Sequence, residues 1–198
     1  KECIEKGMDV HQYPLKYNNL TLKYMGLATC TDALVAIKKY VFDQKLLSFA
    51  QLRQVLKDNW SGHEQLRDKI LRDKEKYGNN LSLPDQIACR ITNHIAKNYV
   101  GRKLHRGGVL RVGLDSITNC IGQGEKTAAS ADGRLAGAPV SKNLCATNGM
   151  DRGGITAYMQ SVLKLDTPAF LGAAVLDFML HPSAVEGEKG VQTEYRIT

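Results

Sequence analysis

The 198-residue sequence contains no apolar run approaching the ~20 residues that cross a bilayer as a helix. Its longest weakly polar stretch, residues 167–180, is too short and is interrupted by Asp177. No basic segment precedes an apolar one, so no signal peptide and no membrane partner are expected. Cysteine is sparse: Cys3, Cys30, Cys89, Cys120 and Cys145 are odd in number, widely spaced and form no Cys-x-x-Cys pair. That usage predicts reduced thiols and a cytoplasmic location, and it makes the three Asn-x-Ser/Thr matches at Asn19, Asn59 and Asn80 chance occurrences. The five histidines include no i, i+4 pair and join no Cys/His cluster, which leaves no recognisable metal site.

A phosphate-binding loop is absent too. Gly122-Gln123-Gly124-Glu125-Lys126-Thr127 resembles one, but Glu125 and Cys120 stand where the loop needs glycine, and the glutamate would repel a phosphate. What is present is an apolar fraction of 43%, ordinary for a folded chain, and a formal charge of +7. The cations are interspersed with Asp and Glu, as in residues 67–76, the pattern of a solvated helix face. No nucleic-acid partner is expected from that pattern.

Glycine divides the chain. Four of the 18 glycines lie in residues 1–100, and the other 14 follow. The first part reads as helices. One starts with Thr31 as cap and runs to Phe42, with Ala33, Leu34, Ala36, Ile37 and Val41 as its apolar stripe. Ser48 with Gln51, and Ser61 with Glu64, have the spacing of capping boxes. Phe49, Leu52, Val55 and Leu56 are the expected buried face after the first box, and Leu66, Ile70 and Leu71 after the second. Gly78 suits a left-handed stop. A fourth helix opens at Ser82–Asp85, carries Ile87, Ile91, Ile95 and Tyr99 on one face, and ends at Gly101. From residue 107 alternation predicts strands at 109–114, 155–165 and 173–180. A loop from Ile121 to Gly154 separates the first two, too long to be idle in a compact domain. On the middle strand Thr156, Tyr158 and Gln160 would share a face, and they are the candidate substrate-pocket residues.

Within the long loop, Asp132-Gly133-Arg134 reads locally as a tight turn with glycine at positive φ and the arginine paired to a carboxylate. Cys30, just before the expected helix start, occupies a position that favours a thiolate, although a free cysteine more often packs as a small hydrophobe. The same two readings apply to Cys145.

The block Ser130-Ala131-Asp132-Gly133-Arg134-Leu135-Ala136-Gly137-Ala138-Pro139, then Asn148-Gly149-Met150-Asp151-Arg152-Gly153-Gly154, resembles the signature of the glycyl radical enzymes, the pyruvate formate-lyase superfamily. Further matches follow the same order: Lys16–Asn19, Gly26–Leu34, Ala36–Asp43, Lys76-Tyr77-Gly78-Asn79, residues 106–118 and 181–190. The resemblance implies an α/β fold: part of a ten-stranded α/β barrel, here a single incomplete domain. Residues 1–100 would be mainly helical, 101–190 would give barrel strands and the signature loop, and 191–198 an atypical tail. Asp132, Gly133, Arg134, Gly137, Gly149 and Asp151 would be its signature-loop residues.

The resemblance further implies radical cleavage of C–C or C–X bonds in a small-molecule substrate, as in formate acetyltransferase-like lyases and dehydratases of anaerobic metabolism. A glycyl radical would be installed by a radical SAM activase, and the intact enzyme would be a homodimer. The family's cysteine loop and its Arg-Val-x-Gly radical loop match no stretch of this chain; Arg111-Val112-Gly113-Leu114 has its glycine one place early. The chain is therefore expected to be a fragment that is inactive alone and binds no cofactor. It departs from the family at Cys145-Ala146, where Ser-Pro is usual, and at Asn148. Two alternatives stay open: a stand-alone basic anion-binding module, and a scaffold subunit completed by a separate chain.

Overall fold

The computed structural model describes residues 2–9, 17–105, 107–179 and positions 182, 186 and 187. Lys16, Arg106, most of 181–190 and the tail 191–198, all used in the motif reading, lie outside the described residues. The chain runs α1 (Glu2–Lys6), β1 (Leu20–Lys23), α2 (Leu27–Ala36), α3 (Phe49–Lys57), α4 (Glu64–Leu71), α5 (Ser82–Tyr99), β2 (Leu110–Leu114), α6 (Asn119–Glu125), α7 (Gly154–Leu163) and β3 (Ala173–Ala174). α2 continues into a wider π-helical segment, Ile37–Asp43. The sheet is parallel, in the order β1-β2-β3, with Lys23 opposite Gly113 and Gly113 opposite Ala173. Helices packed against a parallel sheet are the α/β arrangement the resemblance implied, although the first hundred residues also supply an edge strand.

α2 begins at Leu27, four residues before the expected cap. Gly26 precedes it, and Thr31 is fully buried inside it. Cys30 is therefore the fourth residue of α2 rather than the residue before it, and burial, then Asp132, push its thiol up rather than down. The thiolate expectation fails for that reason. The buried stripe shifts accordingly to Val35, Ala36, Tyr40 and Val41, leaving Leu34 exposed.

The Ser48–Gln51 box forms as expected. The Ser48 hydroxyl accepts from Gln51 N–H at 3.2 Å, and Gln51 Oε1 accepts from Ser48 N–H at 2.7 Å. Leu52 and Val55 are buried behind it, whereas Phe49 is exposed. No such box opens α4. His63 is the cap residue, and Glu64 Oε1 instead accepts from Gly62 N–H at 2.9 Å.

Gly78 has φ 91°, and a Cβ there would sit 2.8 Å from Ala146 Cβ, so both the backbone angle and the packing exclude a side chain. The turn it allows places Tyr77, fully buried, against α5 and β2.

Of residues 155–165, expected as a strand, 155–163 lie in α7 and the last two follow it. The buried positions are Tyr158, Ser161, Val162 and Leu165, a spacing of 3, 4 and 7 that only a helix can bury together. Alternation of small and large residues imitated a strand, but Ala157, Met159, Gln160 and Leu163 are all good helix formers. The strand expected over 173–180 is two residues long among the described positions, and Leu180 lies outside them.

Two apolar clusters hold the fold. One joins the start of α2, α5, β2 and α7 through Leu27, Ala88, Val112, Leu114 and Val162. The other seats Trp60 among Tyr40, Leu52, Val55 and Ile70. Each fully buried aliphatic side chain contributes ~1.5–3 kcal/mol relative to exposure.

Candidate functional site

Ligands of open parallel sheets collect beyond the carboxyl ends of the strands. In this chain those ends are polar. Lys23 closes β1 and its Nζ lies 2.6 Å from Asp115 Oδ2, just past β2. Ser116 follows, and both its N–H and its hydroxyl donate to Asn143 Oδ1, at 2.7 and 3.2 Å. Asn143 adopts φ 50°, a conformation asparagine tolerates better than most residues. Its Nδ2 donates to Asp177 Oδ2 at 2.6 Å, and Lys142 Nζ lies 3.2 Å from the same oxygen.

The segment after β3 is thus stitched to the loop before α7. Leu144 N–H donates to the Val175 carbonyl at 3.0 Å, and Asp177 N–H donates to Cys145 Sγ at 3.4 Å. Tyr158, on α7, accepts from Ala146 N–H at 3.1 Å and donates to the Asp177 carbonyl at 3.4 Å. Burial disfavours an ionised Asp177, but the Lys142, Asn143 and Cys145 hydrogen bonds outweigh it and hold the carboxyl below its usual range. The Tyr158 phenol is pushed up, first by burial and then by Cys145, so it stays protonated.

Of these groups Lys142, Cys145, Ala146, Tyr158 and Asp177 line an open cleft of about 710 Å³, with Asn143 behind it holding Asp177 in place. Ile117, Ile121, Phe178 and Met179 form its apolar side; Lys142, Thr147, Tyr158 and Asp177 form its polar side. A second groove, about 410 Å³ between the π-helical segment and α3, is walled by Phe49, Leu52 and Leu56 beside Arg53 and Lys57, and its surface is almost wholly apolar. The mixed cleft is therefore the candidate site.

Of the residues singled out from sequence, Tyr158, Gly149 and Asp151 lie on this cleft. Thr156 and Gln160 do not share a face with Tyr158, because two residues on a helix turn the side chain by about 200°. Thr156 is exposed, and Gln160 Oε1 accepts from Asn80 Nδ2 at 2.6 Å. Asp132, Gly133 and Arg134 line a separate cavity of about 240 Å³. Gly133 does take positive φ (96°), and its would-be Cβ meets Leu71 at 2.9 Å. Among the described residues Arg134 pairs with no carboxylate. Its guanidinium donates to the carbonyls of Leu135, Ala138 and Ala128 and to the Ser130 hydroxyl, so it splints the turn from inside. Gly137 has φ 79° on the same turn. Asn143 and Asp177 went unrecognised as site residues. The available signal was Asp177 itself, the one charge in residues 167–180. Among the described residues no group of three metal-ligating side chains occurs, and no helix is long and apolar enough to cross a membrane.

The pyruvate formate lyase-like family model matches residues 1–124, well over half of the chain. The chain belongs to that family. Trans-4-hydroxy-L-proline dehydratase of Clostridioides difficile is 36% identical over 190 residues, which span 96% of this chain and 24% of that protein. A structure concerned with 1,2-propanediol dehydration in Roseburia inulinivorans superposes with a TM-score of 0.88 at 30% identity, over all of this chain and 26% of that one. A glycyl radical enzyme of Archaeoglobus fulgidus gives 0.85 at 31% identity, over all of this chain and 25% of its own length. The family implied by the motifs and the α/β class are both borne out. The chain spans about a quarter of the length of these pyruvate formate lyase-like relatives.

Proposed function

We propose that this chain forms part of the substrate-chamber wall of a glycyl radical enzyme that eliminates water, or another leaving group, from a small hydroxylated compound. The observation that carries the reading is the convergence of Lys142, Thr147, Tyr158 and Asp177 on one cleft past the carboxyl ends of parallel strands. Relatives named as dehydratases support the reaction class.

In this reading the ionised Asp177 accepts a hydrogen bond from a substrate hydroxyl, and Lys142 keeps that carboxylate charged. The protonated Tyr158 fixes the chain on either side of the site through Ala146 and Asp177. Ile117, Ile121, Phe178 and Met179 give one side of the cleft an apolar surface against which the carbon skeleton of the substrate packs. When present, the glycyl radical supplies hydrogen-atom abstraction through a cysteine. Those reactive residues come from outside these 198 positions, in an intact cytoplasmic homodimer activated by a radical SAM enzyme.

The test has two arms. Anaerobic treatment of the chain with an activase, S-adenosylmethionine and reductant should give no carbon-centred radical by electron paramagnetic resonance. Titration with 1,2-propanediol or trans-4-hydroxy-L-proline should shift NMR resonances of Thr147, Tyr158 and Asp177. A radical doublet, or ligand shifts confined to other surfaces, would overturn the assignment.

A further inference from the structure

Thr147 lies on the wall between two cavities. It lines the large cleft and also the smaller one, about 240 Å³, that holds Asp32, Lys76 and Asp132. Asp32, from α2, is 1% exposed. Its Oδ1 accepts from Tyr77 N–H at 2.8 Å, and its Oδ2 lies 3.3 Å from the Thr147 hydroxyl. Other charged or titratable groups face it from each packed element. Lys76 and Tyr77 come from the turn after α4, Asp132 and Arg134 from the signature loop, and Arg67 from α4. Lys76 is itself buried and donates to the Asp132 carbonyl at 3.3 Å. Arg67 is committed to the Gly133 carbonyl and Arg134 to the loop carbonyls, so neither forms a close pair with Asp32.

The two oxygens of Asp32 are not equivalent. Oδ1 faces a backbone N–H, which cannot accept a proton's hydrogen bond. A proton on this carboxyl must therefore sit on Oδ2, facing Thr147 Oγ1. With Asp32 ionised, the threonine hydroxyl donates inward and offers only lone pairs to the cleft. With Asp32 protonated, the bond reverses: the acid donates, Oγ1 accepts, and the hydroxyl hydrogen is released toward the cleft.

We propose that Asp32 is a positioning residue that sets, through its own proton, whether Thr147 presents a donor or an acceptor to the cleft. The proton exchanges with solvent through the smaller cavity. The inference rests on the cleft being the substrate chamber. It names Thr147 as the hydroxyl that distinguishes ligands offering a donor from ligands offering an acceptor. Burial, opposed by Lys76 and the Tyr77 N–H, lifts the Asp32 carboxyl to about 7, which brings both states within the range of ordinary buffers.

The test is an NMR titration of the 198-residue chain from about pH 5 to 9. The Asp32 carboxyl carbon and the amides of Thr147 and Asn148 should move through one shared step. Asp32→Asn should abolish it, Thr147→Ser should keep it, and Thr147→Val should leave the Asp32 step intact while silencing Asn148. An Asp32 carbon that does not titrate in this range would overturn the proposal, as would an Asn148 step that survives Thr147→Val. Should Asp32→Asn not fold, the wild-type and Thr147 titrations decide alone. A failure of the chamber reading looks different: the step persists, but 1,2-propanediol shifts no cleft resonance at any pH.

Discussion

Asp32 is the residue at which local energetics and site geometry meet most directly. A carboxyl with an ordinary value of 3.8 when the chain is unfolded and about 7 when it is folded binds its proton more tightly in the native state. Between those values the native protein holds more protons than the unfolded chain, so stability falls as pH rises. Below about 4 the group contributes no penalty; above about 7 the full cost of the buried ion is present. The slope is at most ~1.4 kcal/mol per pH unit. Asp73 and Asp177 are shifted the other way, and the stability they contribute is lost only as pH falls below the ordinary carboxylate range. The expected outcome is a melting temperature that declines from pH 4 to pH 7 in the wild-type chain and is flatter in Asp32→Asn. Parallel profiles for the two proteins would show that the slope arises elsewhere.

At the scale of elements, the apolar joint between α5 and α7 is reinforced by one ion pair. Asp85 is 2% exposed, its Oδ2 lies 2.6 Å from Lys164 Nζ, and its Oδ1 is buried without a partner among the described residues. Lys164 also donates to Asn80 Oδ1 at 2.6 Å, tying the turn before α5 to the end of α7. Losing the lysine strands a buried carboxylate, which costs far more than losing an exposed pair. Lys164→Met should therefore destabilise by about 3 kcal/mol, a fall of roughly 6–12 °C for a chain of this size. Adding Asp85→Asn should recover part of it. A shift within 2 °C for the single variant would refute this account of the joint.

The same elements show what could be read ahead of the coordinates. The Ser48–Gln51 box, the Gly78 stop, α5 and β2 rest on local signals: side-chain caps, a left-handed glycine and a steady period. α7 was misread because Thr156, Tyr158 and Gln160 alternate as a strand would, while the deciding burial of Ser161 and Val162 comes from tertiary packing. The cleft was only half legible for a related reason. Tyr158, Gly149 and Asp151 lie in or beside the signature block, but Asn143 and Asp177 are 34 residues apart and meet only through the β3 crossover.

The whole molecule presents a different problem from its parts. β1 and β3 are both edges of the described sheet, and a parallel sheet is ordinarily enclosed on both faces. Large apolar side chains lie open beside it: Met179 is 95% exposed and Ile117 73%, both on the cleft, and Leu163 on α7 is 79% exposed. Relatives four times as long have further polypeptide available to cover such surfaces, and the described residues of this chain leave them open. Unpaired edges and contiguous apolar surface both favour association with other chains. Sedimentation velocity on the isolated chain should therefore show a weight-average coefficient that rises with concentration over the micromolar range. Because the drive is burial of apolar area, added salt should not reverse it, and Met179→Lys with Leu163→Lys should weaken it. A chain that sediments as a monomer at every concentration would mean that the sheet edges and the cleft rim are closed by its own residues, and the picture of a wall segment with uncovered faces would fall.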